Sequence, residues 1–352
     1  MRPPPFWYDR RGTLAWLLAP LGGLYTLAGT WRRGRTTPWR CGIPVLCVGN
    51  VTAGGTGKTP VAIDLACRLV ARGESPHILV RGYGGRTKGP HRVDPASDTA
   101  EAVGDEALLL ARSAPVWVGG DRAASARHAC EAGATAIVMD DGFQNSGLAK
   151  DCALLVVDAA VGIGNGLPIP AGPLRESWAV AARRAQGVVV MGAGIPDDGR
   201  HELRHPDLSL VNGPVLSARL VPDPVRIADV RGSRIVAFAG IGRPHKFFDS
   251  LRAAGAELAE AIPFPDHYAY KPRDLRALAD LADRLDAPLW TTEKDHVRLP
   301  SPIRDRVTPL AVTVAWDAPE SVDRLLNDLL QARDTAGPPA GAHGVDPQKD
   351  RG

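Results

Sequence analysis

The sequence predicts an α/β protein, in which a P-loop NTPase-like domain with a parallel sheet is joined to a second, smaller α/β domain and to an N-terminal membrane-associated helix. The first observation is an apolar run at 43–48 that leads into a glycine-rich segment and then a helix. Apolar runs and helical segments then alternate, which is typical of βαβ units with a parallel sheet. The third observation is another strand, glycine turn and helix at 234–251.

Length and composition permit two folded domains. The chain has 352 residues, of which 44% are hydrophobic, so each domain can bury a core. We predict a membrane-anchoring segment at 1–40, a P-loop domain at 41–213, a linker or hairpin at 214–232, a C-terminal α/β domain at 233–333 and a disordered tail at 334–352.

Charge and cysteine content narrow the classes of function. A formal net charge of +3 is too small to indicate a nucleic-acid partner. The five cysteines form no C-x-x-C pair and show no metal-binding spacing. We therefore expect buried, reduced thiols to which no chemistry is assigned.

The amino-terminal residues 12–31 contain no charged side chain, and arginines flank them, with tryptophan and tyrosine interleaved. These are features of a helix that lies on a membrane surface, which is the interpretation we favour. A spanning helix is possible by length, but Pro20, Gly22 and Gly23 would interrupt it. A signal peptide would separate a nucleotide enzyme from ATP, and a core helix would leave the arginines unexplained.

The strongest local signal is GNVTAGGTGKTP at 49–60. A strand that ends in glycines and opens a helix with Lys-Thr surrounds an anion with backbone N–H groups, as polyphosphate sites do. Lys58 would reach the outer phosphates and Thr59 would face Mg²⁺, although Thr52 stands where the usual motif has its first glycine. The alternative is an ordinary glycine-rich turn. The predicted nucleotide contacts are Thr52, Ala53, Gly54, Gly55, Thr56, Gly57, Lys58 and Thr59.

Carboxylates supply the second signal. The apolar segment 134–145 ends a strand with Asp140 and Asp141, and hard cations such as Mg²⁺ take oxygen ligands of this kind. The alternative is a simple Asp-Gly hairpin turn. Asp105 and Glu106 begin a predicted helix, where acidic residues usually act as caps, so only their position relative to the glycine loop could make them catalytic.

Further strands are predicted at 77–83, 115–120, 152–159, 187–193 and 289–292, and a helix at 59–72 follows the glycine loop. Three candidate substrate, nucleotide or catalytic residues lie between the predicted strands. Arg122 begins a short helix, where a surface arginine is the favoured interpretation. Arg175 follows a rigid Pro/Gly-rich loop, and His267 stands in a proline-bounded loop, where a structural role is the commoner one.

Taken together, these motifs resemble those of the tetraacyldisaccharide 4'-kinases, which phosphorylate the lipid A precursor of Gram-negative outer membranes. The resemblance covers about residues 5–330. That family also lacks the first loop glycine, so Thr52 fits its pattern, whereas Asn145 replaces a histidine that is common in it. The features that carry the resemblance, in chain order, are the amino-terminal segment flanked by arginine and tryptophan, GNVTAGGTGKTP, RGYGG, VGDEA, DDGFQ, GPLRE, AFAGIGRP with the two phenylalanines that follow it, PDHY and TTEKD.

The resemblance implies transfer of the γ-phosphoryl group of ATP to the 4'-hydroxyl of an acylated glucosamine disaccharide 1-phosphate, with Mg²⁺ as cofactor. It implies catalytic roles for Lys58, Asp105 and His267, with Asp105 as the base that His267 pairs with. Because the substrate's acyl chains stay in the bilayer, it implies work at the cytoplasmic face of the bacterial inner membrane. The implied metal environment is Thr59, Asp140, Asp141 and Glu106, and the implied weaker substrate or nucleotide contacts are Tyr83, Arg122, Arg175 and Glu176.

Two other functions remain open from the residues alone. One is a soluble P-loop kinase that acts on a small sugar or nucleotide, with the amino-terminal segment as a core helix. The other is a regulatory NTPase of the GGxGK type, although Ala53 stands where such proteins often carry lysine.

Overall fold

The computed structural model describes residues 3–9, 11–192 and 205–336, except the side chains of 301 and 334–336. Its larger sheet has nine strands in the order β13-β8-β7-β6-β1-β5-β2-β4-β3. These strands are β1 (Val45–Gly49), β2 (Pro76–Val80), β3 (His91–Arg92), β4 (Val116–Val118), β5 (Ala136–Asp140), β6 (Cys152–Asp158), β7 (Gly187–Met191), β8 (Val215–Pro222) and β13 (Val312–Trp316).

The strands from β8 to β4 run parallel, and the described edge strands β13 and β3 are antiparallel to their neighbours. Every residue of β1, β2, β5, β6 and β7 is buried. This burial follows from helices on both faces of a parallel sheet, which require continuous apolar runs rather than alternating ones. The carboxyl ends of these strands therefore meet at one edge of the sheet, where ligands of such folds bind.

Helices cover both faces of this sheet. The helices of this part of the chain are α1 (Thr13–Gly34), α2 (Lys58–Val70), α3 (Ala100–Val103), α4 (Asp105–Leu110), α5 (Arg122–Glu131), α6 (Trp178–Ala182) and α12 (Pro319–Ala336), with short 3₁₀ turns at Pro5–Trp7 and Leu208–Leu210. One apolar core contains buried residues of α2, α4 and α12, and a second core contains those of α5 and α6.

A second sheet of four parallel strands has the order β10-β9-β11-β12. Its apolar residues form one core with α8 and another with α9, so it too is covered on both faces. Its elements are β9 (Arg234–Ala239), α8 (Pro244–Ala253), β10 (Glu257–Pro263), α9 (Pro272–Leu285), β11 (Leu289–Thr292), α10 (Glu293–His296), α11 (Ser301–Arg304) and β12 (Val307–Leu310), preceded by α7 (Pro224–Val230).

The predicted segment boundaries differ from the structure at both connections between the sheets. Residues 215–222 of the predicted linker are part of the first sheet, because β8 pairs in parallel with β7 and buries Leu216 and Ala218 in the first core. Residues 223–232 lead from β8 to the second sheet. The predicted domain at 233–333 also ends too late, since β13 and α12 return to the first sheet. Alternating burial marks extended chain but does not say which sheet the chain joins. Most of the predicted tail, 337–352, lies outside the described residues.

The amino-terminal helix α1 continues through Pro20 without the predicted interruption. It packs by a narrow face of small residues: Ala15 and Gly22 are buried, and a Cβ added to Gly22 would stand 2.9 Å from the carbonyl oxygen of Pro168. The rest of its surface is open. Among the described residues, no helix is long and apolar enough to cross a membrane.

Candidate functional site

The glycine loop, residues 50–57, joins the end of β1 to the start of α2. Gly54 and Gly57 adopt positive φ angles of 140° and 89°, which side-chain-bearing residues rarely do, and Gly57 is the N-cap of α2. Backbone N–H groups at the first turn of α2 lack helical partners, and the helix dipole adds positive potential there. These are the features of a loop that can receive an anion.

Asn50 shapes this loop from within and was missed at the sequence level. Its side chain is fully buried, and Nδ2 lies within hydrogen-bond distance of Thr52 Oγ1 (3.3 Å), the carbonyl oxygen of Gly54 (3.4 Å) and Thr56 Oγ1 (3.2 Å). The same residue's carbonyl oxygen accepts a bond from Gln144. One amide thus fixes the path of the loop, which explains why an asparagine follows the last glycine of β1.

A second segment, the loop at 161–175, braces the glycine loop from outside. Ala53 N donates to the carbonyl oxygen of Pro173 at 2.8 Å, and Arg175 N donates to the carbonyl oxygen of Val51 at 2.7 Å. The same segment contacts the amino terminus of the chain, since Trp7 Nε1 donates to the carbonyl oxygen of Pro170. The position of the glycine loop is therefore linked to that of the amino-terminal segment.

The carboxylates that follow β5 meet the start of α2. Thr59 Oγ1 donates to Asp140 Oδ2 at 2.8 Å, and Lys58 Nζ lies 3.6 Å from Asp141 Oδ1. Arg175 Nη1 also donates to Asp141, at 2.9 Å, from the bracing loop. Asp141 has a φ of 52°, an unusual backbone for a residue with a side chain and one that concentrates at functional sites. Asp140 and Asp141 therefore both lie against the start of α2.

Asp140 has the character of a cation ligand. Burial, together with the charge of Glu106, raises the pKa of Asp140 to about 7, and its Oδ1 finds no hydrogen-bond donor within the described ranges. A divalent cation would stabilise the ionised form and use the free oxygen. No cluster of three or more acidic, imidazole or thiol ligands exists in the described parts of the chain. Mg²⁺ commonly takes one or two carboxylates and completes its shell with phosphate and water, so these residues fit it.

An open cavity borders Asp140. Tyr83, Gly104 and Glu106 line it together with Asp140. It lies between the ends of β2 and β5 and the start of α4, beside the second domain. Glu106, predicted as a metal residue, therefore shares one cavity with Asp140.

Asp105 and His267 meet across the cleft between the domains. Nδ1 of His267, in the loop after β10, lies 3.1 Å from Oδ2 of Asp105, the first residue of α4. Asp105 is buried, whereas the side chain of His267 is 38% exposed and its ring lies edge-on to Tyr83. A histidine that donates through Nδ1 has Nε2 as its proton acceptor, and in this structure the Nζ atom of Lys294 lies 3.4 Å from that nitrogen.

Arg298 holds Asp105 from the second domain and was not predicted. Its Nε donates to Asp105 Oδ2 at 2.9 Å and its Nη2 contacts the same oxygen, while Nη1 donates to Asp295 at 2.9 Å. Burial raises the pKa of Asp105, but the hydrogen bond from His267 and the charges of Lys294 and Arg298 outweigh it, so the pKa stays well below its ordinary value. Asp105 is therefore held as an anion between His267 and Arg298.

Within the described residues, four more ion pairs join the two domains, and none was predicted. They are Lys294 with Asp105 at 4.0 Å and with Glu106 at 3.3 Å, Arg112 with Glu293 at 3.2 Å, and Arg243 with Asp158.

The weaker predicted contacts have different environments. Tyr83 is exposed in the cleft, and Arg175 lies on Asp141. Arg122 is not a surface arginine: it is buried, its Nη1 donates to the carbonyl oxygen of Gly119, and burial lowers its pKa to about 10. Glu176 is fully buried beside Arg184 (2.6 Å) and accepts a bond from Gln144, which favours a supporting role.

Asn145, which replaces the common family histidine, has a local function. Its Oδ1 accepts bonds from the backbone N–H groups of Gly147 (3.0 Å) and Leu148 (3.1 Å), so it closes the turn after Asp141.

Comparisons with known proteins give one consistent result. A sequence model of the family described as tetraacyldisaccharide-1-P 4'-kinase matches residues 14–331. The chain is 51% identical over 341 residues to the tetraacyldisaccharide 4'-kinase of Rhodospirillum centenum, covering 96% of this chain and 99% of that protein. It is 54% identical over 331 residues to the protein of the same name from Gluconacetobacter diazotrophicus, covering 94% and 98%.

The fold also matches a solved structure. The crystal structure of an "apo" form of LpxK from Aquifex aeolicus in complex with ATP superimposes with a TM-score of 0.72 at 25% sequence identity. The match covers 90% of this chain and all of the other. The mixed α/β architecture with a large parallel sheet is therefore shared between them.

Proposed function

The chain belongs to the tetraacyldisaccharide-1-phosphate 4'-kinase family, and on that premise we propose how its residues carry out the reaction. The enzyme is a phosphotransferase that moves the γ-phosphoryl group of ATP to the 4'-hydroxyl of tetraacyldisaccharide 1-phosphate, in lipid A biosynthesis. We assign nucleotide binding to the P-loop formed by 52–59 and attack by the hydroxyl to the cleft that Asp105 and His267 border.

The observation that carries this assignment is the contact of Asp105 with His267 at 3.1 Å. The residue after Asp105 in the chain, Glu106, lines the same cavity as Asp140. We assign proton acceptance from the 4'-hydroxyl to Nε2 of His267, where the hydroxyl would displace the ammonium group of Lys294. Asp105 would stabilise the imidazolium that results. As the new oxygen–phosphorus bond forms, the bond from the γ-phosphorus to the β-phosphate oxygen breaks, and ADP leaves with those electrons.

Lys58 and the N–H groups of the glycine loop are assigned to the phosphates. Thr59 and Asp140, with Glu106 and Asp141 near them, are the residues that would hold Mg²⁺, and when bound the ion would neutralise charge on the phosphate oxygens. The ion pairs of Asp141 with Lys58 and Arg175 support a second role, in which Asp141 orients the lysine. Tyr83 and Arg122 stand as candidate substrate or nucleotide contacts.

The full-length protein in mixed micelles with ATP, Mg²⁺ and tetraacyldisaccharide 1-phosphate tests this function. We expect one new phosphate on the lipid, located at the 4'-position by ³¹P NMR and mass spectrometry. ATP hydrolysis without a phosphorylated lipid would favour the regulatory NTPase instead. Equal transfer to an unacylated sugar would favour the soluble small-molecule kinase.

We assign α1 to the lipid surface at the cytoplasmic face of the inner membrane. Its packed face is made of small residues. In its last turn, Arg33 forms an ion pair with Glu176 at 3.5 Å. Eight large apolar side chains remain exposed: Leu14, Trp16, Leu17, Leu21, Leu24, Tyr25, Leu27 and Trp31. An apolar helix face bordered by arginines and aromatic rings is suited to lie in a bilayer interface.

The active-site cleft would then open near the bilayer. The loop at 161–175 contacts α1 through Pro168 and the glycine loop through Pro173. A substrate whose four acyl chains remain in the membrane would present its sugar at this level.

Replacing Leu17, Leu24 and Leu27 together by glutamate is expected to lower binding to vesicles of anionic phospholipid by more than about a hundredfold, because burying one leucine side chain contributes about 1.5–3 kcal/mol. Sedimentation with the vesicles measures the bound fraction. These side chains are already exposed, so the free energy of unfolding should change little.

The matched control carries the same three charges at exposed valines on other elements, Val70, Val180 and Val225. It should bind vesicles like the unaltered protein. Equal loss of binding in both variants would mean that added charge, and not the surface of α1, controls association.

A further inference from the structure

Cys41 and Cys130 lie side by side although 89 residues separate them in the chain. Their Sγ atoms are 3.0 Å apart, about 1 Å more than the length of a covalent disulfide bond. Both residues are partly exposed, whereas Cys47 and Cys152 are buried. The expectation of five buried thiols is thus wrong for this pair and for Cys67, which is exposed.

The pair is held by the fold on both sides. Near Cys41, Trp39 N donates to the carbonyl oxygen of Gly147 at 2.8 Å, and Ala149 N donates to the carbonyl oxygen of Trp39 at 2.9 Å. Cys130 lies in the last turn of α5, and Arg127 of that helix stacks on the ring of Trp39 at 4.8 Å. The sulfurs therefore meet between two ordered elements, and closing the remaining gap requires only a small shift.

The contact also makes one sulfur reactive. A hydrogen bond between the two sulfurs lowers the pKa of Cys41 to about 7 and raises the pKa of Cys130. Because the thiolate is the nucleophile in disulfide exchange, Cys41 is the attacking group near neutral pH and Cys130 is the resolving group.

We propose that Cys41 and Cys130 form a redox site that reacts with low-molecular-weight disulfides and closes to an intramolecular disulfide. The Cys41 thiolate attacks one sulfur of the external disulfide and releases one thiolate. Cys130 then loses its proton and attacks Cys41 Sγ, which releases the second thiolate and forms the protein S–S bond. Two protein thiols are oxidised, and the external disulfide is reduced to two thiols.

The product would tie the chain that follows α1 to α5. This link lies outside the phosphoryl-transfer groups, so the proposal does not depend on the assigned function. A bond across 89 residues restricts the unfolded chain strongly, and the oxidised protein should therefore unfold at a higher urea concentration than the reduced one.

The experiment incubates the full-length reduced protein with oxidised glutathione. Free thiols are counted, and peptides are mapped without reduction by mass spectrometry. We expect the loss of two of the five thiols, one peptide pair that joins Cys41 to Cys130, and no retained glutathione on either residue. A lasting glutathione adduct on Cys41 in the unaltered protein, or the absence of a 41–130 peptide pair, would overturn the proposal.

Two variants separate this site from general thiol reactivity. Cys130→Ser should trap the glutathione adduct on Cys41 and abolish the rise in the urea midpoint, with Cys130→Ala as the alternative if serine impairs folding. Cys67→Ser removes an exposed thiol and should leave the 41–130 link unchanged. A link that disappears with Cys67 would contradict direct closure between the two cysteines.

Discussion

Replacing Asp105 by asparagine is expected to lower kcat by about 10²–10⁴, the usual contribution of general acid–base catalysis. The amide keeps the shape of the side chain but removes the charge that stabilises protonated His267 at 3.1 Å. It also leaves Arg298 and Lys294 without their shared anion. Steady-state kinetics with the lipid substrate measure kcat, and calorimetric titration with a non-hydrolysable ATP analogue should show nearly unchanged nucleotide affinity.

A second variant distinguishes two roles for Asp105. If His267 accepts the proton and Asp105 only positions it, His267→Ala should lower kcat at least as far as Asp105→Asn. A much smaller loss in His267→Ala would assign proton acceptance to Asp105 itself. Asp280→Asn is the control, because it makes the same change as Asp105→Asn at an exposed site on α9 and should leave kcat intact.

Lys58→Ala is expected to lower kcat by about 10²–10³, the cost of removing one donor aimed at charge that develops in a transition state. In the structure this ammonium group is mostly buried and lies 3.6 Å from Asp141, which keeps it at the mouth of the glycine loop. Single-turnover transfer of the γ-phosphoryl group, measured at saturating ATP, isolates the chemical step from nucleotide binding.

The control for Lys58 is Arg284→Ala, which removes one positive charge from an exposed position on α9. It should leave the transfer rate unchanged. Should Lys58→Ala lose only ATP affinity and keep its single-turnover rate, the lysine would be a ground-state binding residue, and the assigned role in transfer would be wrong.

Local sequence was sufficient for the glycine loop and its helix. The predicted helix at 59–72 corresponds to α2 (Lys58–Val70), and Asp140 ends β5 as expected. Both predictions rest on short-range physics: glycines permit positive φ angles, an apolar run forms a buried strand, and the first helical turn offers free N–H groups.

Long-range contacts explain what was missed. Arg298 reaches Asp105 over 193 residues of sequence, and nothing near either residue signals the pairing. Arg122 resembles any arginine at a helix start, and only the packing of α5 buries it beside the two aspartates. The segment at 215–222 shows the alternation of a strand, but its two partners are far apart in the chain. In sequence, β7 precedes the second domain and β13 follows it.

Local sequence is enough to predict the α/β class, the glycine loop at the start of α2, the acids at the end of β5 and, through an ordered set of motifs, the family. Packing between distant segments is what leaves His267 exposed at the cleft while Asp105 is buried, and what places Arg298 against Asp105. The same holds for the meeting of Cys41 and Cys130. The physical reason is that burial and charge pairing depend on which distant segments pack together, whereas backbone conformation depends mainly on neighbours in the chain.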